Sequence, residues 1–129
     1  MFANECQQAR VCEALCRAVR LEGMWTDEGP TDVAVSLLKR NGGPLSSGER
    51  IMFLAAWNVW NGRGEVNLGD AVHRLDQGCL RALGSLLIAL GTEPSGVSEW
   101  LQKMGPTASV VPSPSGPANP GRNSAKAGR

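Results

Sequence analysis

The segment from Ser46 to Trp60 constrains this chain more than any other. Ser46 and Glu49 stand at capping-box spacing, an N-terminal signature in which each side chain meets the other's backbone N–H. Ile51-Met52-Phe53-Leu54-Ala55-Ala56-Trp57-Asn58-Val59-Trp60 follows, apolar nearly all the way round a helical wheel. A helix that is apolar on every side is buried on every side. At roughly 15 residues it is well short of the ~20 needed to span a bilayer. The reading is a helix over about 47–61 at the centre of the fold, with Trp57 and Trp60 in the core.

The flanking segments supply what covers it. Residues 3–22 read as a first helix, with Ala9, Cys12, Leu15, Cys16 and Val19 on one arc and Arg10, Glu13, Arg17 and Arg20 on the other. Gly23 ends it, and Trp25 to Pro30 form a polar connection. Thr31 caps a short helix through Arg40, stopped by Asn41-Gly42-Gly43-Pro44. Past Asn61-Gly62-Arg63-Gly64, Leu68 to Leu75 form a short helix with Leu68, Ala71, Val72 and Leu75 inward. Asp76 caps residues 77–90, where Leu80, Leu83, Leu86, Leu87 and Leu90 make a stripe, and Val97 to Met104 is a last short helix. No strand-period alternation and no internal repeat is visible. The expected fold is therefore all-α, a compact bundle of five to six short helices around the central one.

Residues 105–129 differ in kind. Pro106, Pro112, Pro114, Pro117 and Pro120 lie among Gly, Ser, Ala and Asn, with only Val110 and Val111 to bury. Such a composition does not offset its ordering entropy, so a disordered tail is expected behind a helical domain at 1–104. Pro117 to Arg122 has the P-x-x-P-x-R spacing of a polyproline ligand, a match that arises readily in Pro-rich sequence. About 100 residues remain to fold, enough to bury over ~60% of their unfolded surface without staples.

Charge limits the partners. Thirteen Lys and Arg face twelve Asp and Glu, and Arg122, Lys126 and Arg129 of the tail leave the remainder slightly acidic. Nucleic-acid surfaces usually declare themselves by a basic excess. The N-terminus offers no secretion signal and no apolar run behind it. A cytoplasmic protein with reduced cysteines is the expectation, with no membrane contact.

Cys12, Cys16, His73 and Cys79 supply the ligand types of a tetrahedral zinc site. Cys12 and Cys16, however, fall in the apolar arc, where a thiol behaves as a small hydrophobe. The stretch from Val59 to Asp70 has the layout of a calcium loop with Gly64 at its sixth position. It puts Val59 where the first aspartate belongs and Arg63 at a ligand position, so too few anionic oxygens remain. No nucleophile elbow, paired carboxylates or phosphate-cradling motif stands out. The sequence leads to a non-enzymatic protein with no metal and no cofactor.

Four Trp with two Phe and no Tyr is an unusual aromatic set, and Trp is enriched in interface hot spots. Trp25 and Trp100, near polar neighbours, join Arg10, Glu13, Arg17 and Arg20 as candidate partner-binding residues. The function expected is protein–protein interaction: a subunit, adaptor or inhibitor of a larger partner, of the compact helical kind frequent in phage and mobile elements. A homodimer is a further expectation. The alternative is a dimeric nucleic-acid-binding regulator whose paired first helices present Arg10, Arg17 and Arg20.

Overall fold

The structure, a computed structural model, describes residues 2–92 and 95–104. The expected tail, with its P-x-x-P-x-R segment and three cations, lies outside the described residues. The fold is all-α: α1 (Glu5–Arg17), α2 (Asp32–Lys39), α3 (Ser47–Asn61), α4 (Leu68–Arg74), α5 (Gln77–Leu90) and α6 (Gly96–Met104). A two-residue antiparallel pair, β1 (Trp25–Thr26) with β2 (Gly29–Pro30), interrupts the helices. The sequence did not signal it, because two residues are too short for a period.

Helix α3 begins as expected. Both halves of the capping box form, Glu49 Oε1 accepting the Ser46 N–H at 2.9 Å and Ser46 Oγ the Glu49 N–H at 3.4 Å. Met52 to Trp57, six successive residues and so more than a full turn, are all buried. Its C-terminal end is closed by Gly62 in the left-handed region and by α1, whose Gln8 Nε2 donates to the Val59 and Trp60 carbonyls at 3.0 Å each. These carbonyls have no intrahelical partner, so one side chain ties the two main helices together.

Helix α1 is shorter than the apolar pattern, stopping at Arg17 instead of 22. The chain turns because Arg20 is left-handed at φ 66°. The Leu21 N–H then reaches the Cys16 carbonyl and the Arg20 N–H the Arg17 carbonyl, both at 2.9 Å. This is a Schellman ending with arginine where glycine is favoured. Helix α2 ends the same way at Asn41, with φ 52° and Gly42 N–H on the Leu37 carbonyl at 2.9 Å.

The apolar stripes expected on α4 and α5 need correction at Leu68, Val72 and Leu87. In α4 only Ala71 and the following Leu75 are buried, while Leu68 is 76% and Val72 62% exposed. Helix α4 is only seven residues long and is laid along α3 by one edge. In α5, Leu86 is buried and Leu80, Leu83 and Leu90 pack half-buried against the core as expected, while Leu87 is 68% exposed; Cys79, Ala82 and Ala89 complete the inward side. The small residues face inward because α6 packs closely there. Trp100 lies on that side, its Nε1 donating to Ser85 Oγ at 2.9 Å.

Candidate functional site

Within the polar stripe of α1, Arg10 and Arg20 are exposed, whereas Glu13 is withdrawn from open solvent. Glu13, on the third turn of α1, is half-buried beneath the 23–30 segment. Its Oε2 accepts the Gly23 N–H at 2.8 Å, and its Oε1 accepts the N–H groups of Met24 at 3.0 Å and Trp25 at 2.9 Å. Three consecutive backbone donors converge on one carboxylate, which fixes where the chain leaves α1. Arg10 Nε and Nη2 donate to the two carboxylate oxygens of Asp27, each at 3.1 Å, and close the turn of the β1–β2 pair onto the same helix. The Arg10 hydrogen bond holds the Asp27 carboxyl below the usual carboxylate range. Both side chains are about 60% exposed, so the pair orients more than it stabilises. Arg17 lies 3.3 Å from Glu13 and 3.5 Å from Glu22.

The tryptophans are also placed otherwise than expected. Trp25 is 3% and Trp100 5% exposed, so both are core residues, as is Trp57 at 4%. Trp25 and Trp57 meet with ring centroids 5.1 Å apart and planes at 60°, an edge-biased contact favoured by the ring quadrupoles. Neither indole N–H finds an acceptor among the described residues. Trp60, half-buried, lies over Gly29, where an added Cβ would come within 3.4 Å of the ring. The polar neighbours of Trp25 in sequence gave the wrong signal, because the hairpin turns them outward and the ring inward.

The sequence candidates therefore divide. Arg10, Glu13, Arg17 and Trp25 line a groove of about 710 Å³ between α1, the β1–β2 turn and α6, with Asp27 and Leu101 opposite. Arg20 and Trp100 do not line it. Arg10 and Arg17 both already face carboxylates, so the groove is electrostatically closed upon itself. A second groove of about 750 Å³, between α3 and α4, brings together Arg50, Asn58, Asn67, Asp70 and Arg74.

The residues considered for metals are scattered among other roles. Cys12 Sγ donates to the Ala56 carbonyl at 3.3 Å, and Cys79 lies against the Ala18 carbonyl. Burial pushes the Cys12 thiol up to about 12 and the Cys79 thiol to about 11, and raises Cys16 as well. His73 is exposed. In the Val59–Asp70 loop, Asn67 Oδ1 accepts the Asp70 N–H to cap α4, and Asn61 Oδ1 accepts the Arg63 N–H, each at 3.0 Å. Among the described residues, no three His, Cys, Asp or Glu side chains converge on a point.

Sequence reasoning missed the apolar surface. Leu68 and Val72 on α4, and Leu87 and Ile88 on α5, are between 62% and 76% exposed. Periodicity pointed inward for three of the four, and the side of each helix that meets a neighbour was decided by packing. Among the described residues no helix is long and apolar enough to cross a membrane. Comparison with protein-family models, curated proteins and solved structures found no match.

Proposed function

We propose that this chain is a non-catalytic protein–protein interaction module, a subunit, adaptor or inhibitor, which docks through the apolar side chains of α4 and α5. The observation that carries this reading is the exposure of Leu68, Val72, Leu87 and Ile88, four large aliphatic residues on two successive helices. Single exposed aliphatics are ordinary on a protein surface, whereas several on neighbouring elements mark contact surface. The stripe of Arg10, Glu13 and Arg17 contributes less, since these side chains hold the hairpin and each other. A nucleic-acid regulator loses support for the same reason: two of its three cations are engaged with carboxylates. Four unpaired thiols suit a reducing, cytoplasmic setting.

The test is native mass spectrometry of the tagged protein isolated gently from its own host. An assembly heavier than the chain is expected, and Val72→Glu with Leu87→Glu should dissolve it without loss of helical circular dichroism. An assembly that survives these substitutions but is lost in Arg17→Glu would overturn the choice of surface. Absence of any assembly would overturn the module itself.

A further inference from the structure

We propose that the groove between α3 and α4 binds a small phosphorylated amine, its phosphate at Arg50 and Arg74 and its ammonium at Asp70 and Glu65. The groove holds about 750 Å³, within the ~300–1,000 Å³ usual for small-molecule sites. It shares no side chain with the docking face of Leu68, Val72, Leu87 and Ile88, so the two readings stand or fall separately.

The two grooves of this chain use their charges differently. Along α1, Arg10 and Arg17 are matched by Asp27, Glu13 and Glu22. Between α3 and α4, the side chains of Arg50, Glu65 and Asp70 make no hydrogen bond or ion pair among the described residues. Asp70 and Arg74 stand at i, i+4 on α4, in the order that favours pairing. Arg74 turns instead to α3, its Nη1 donating to Ser47 Oγ at 3.3 Å. Ser47 and Arg50 lie three residues apart and share one face of α3. The two arginines therefore flank the Ser47 hydroxyl at one end of the groove. Asp70 lies a turn back along α4, and Glu65 in the loop that leads into it.

The walls are fixed by the fold. The stem of Arg50 lies on Gly42, where φ is 85° and a Cβ would strike its Cγ. On the other side, the loop before α4 is drawn onto α3. Asn58 Nδ2 donates to the Gly64 carbonyl at 2.6 Å, and Gly64 meets the Leu54 carbonyl too closely for a Cβ. Groups placed in advance lose less freedom when a ligand arrives.

Charge and geometry select the ligand. One guanidinium fork fills a carboxylate, whereas a phosphate monoester offers three free oxygens and a charge near −2. Two forks and a hydroxyl suit the phosphate. Asp70 and Glu65 would repel a polyanion continuing along the groove, which disfavours a nucleic-acid backbone, and they attract an ammonium.

Amide NMR of the full chain, titrated with O-phosphoethanolamine at low salt, tests this. Saturable shifts centred on residues 41–51 and 62–74 are expected. Arg50→Ala and Arg74→Ala should each weaken binding by about tenfold or more. Arg50→Lys keeps the charge but not the fork, and should recover only part of that loss. Arg63→Ala removes a nearby cation that does not line the groove and should change nothing. Asp70→Asn should weaken phosphoethanolamine but not inorganic phosphate, which separates the two ends of the site. No saturable shift, or equal weakening by Arg63→Ala and Arg50→Ala, overturns the proposal. So does tighter binding of duplex DNA at the same residues. Retention by phosphatidylethanolamine vesicles, with no shift from the free compound, overturns it as well.

Discussion

Glu13 Oε1 accepts the backbone N–H of Trp25 at 2.9 Å, and through that bond α1 holds the indole that packs against Trp57. The same carboxylate takes the Gly23 and Met24 N–H groups. A residue drawn on the solvent side of an amphipathic wheel is therefore a fold determinant.

Replacing it should be expensive for that reason. Glu13→Ala leaves partly buried N–H donors without an acceptor and should cost about 2 kcal/mol of stability in urea unfolding. Glu13→Gln keeps one oxygen acceptor and should lose roughly half as much. Arg17→Ala removes only a partly exposed ion pair, for under about 1 kcal/mol. Equal losses for Glu13→Ala and Arg17→Ala would contradict the clamp.

Arg20 holds a left-handed φ of 66° at the end of α1, where a Cβ is unfavourable. Arg20→Gly should stabilise by about 0.5–1 kcal/mol, the relief of backbone strain exceeding the added freedom of the unfolded chain. Calorimetry should show a melting temperature raised by a few degrees. A lowered one would mean that the Arg20 side chain makes a contact worth more than its strain.

Two glycines only two positions apart should respond differently. At Gly64 a Cβ would strike the Leu54 carbonyl of α3, so Gly64→Ala must push the loop off the helix, for roughly 3 kcal/mol. At Gly62, φ is 79° and the space is open, so Gly62→Ala meets only conformational strain of ~1–2 kcal/mol. Chemical unfolding of the pair separates the two causes. Similar losses would mean that the 62–67 loop can move aside.

The cysteines should label in order of burial. Cys6 is half-exposed, Cys79 is 5% exposed, and Cys12 and Cys16 are fully enclosed. With the Cys79 thiol raised to about 11 and Cys12 to about 12, almost no thiolate exists at either near neutral pH. A thiol reagent at pH 8 should modify Cys6 first, Cys79 slowly, and Cys12 and Cys16 only on unfolding. Rapid modification of Cys12 would show that α1 opens readily from α3.

The sequence by itself determined the helices, because their signals are local. Ser46, Asn67 and Asp76 cap where their side chains reach the N–H three residues on, and the wholly apolar 51–57 run admits one position, the centre. What the tertiary structure decided is which side of the lesser helices faces inward. Leu and Val at helical spacing on α4 and α5 satisfy more than one burial arc; packing left Leu68, Val72 and Leu87 outside and turned Ala82 and Ala89 inward, where α6 packs closely. The candidate site followed the same division. The Arg10–Glu13–Arg17 stripe was legible as a stripe, but its use as a dock for residues 23–27 depends on a left-handed turn at Arg20 that no period announces. Burial of Trp25 and Trp100 likewise comes from long-range packing, which sequence neighbours do not report.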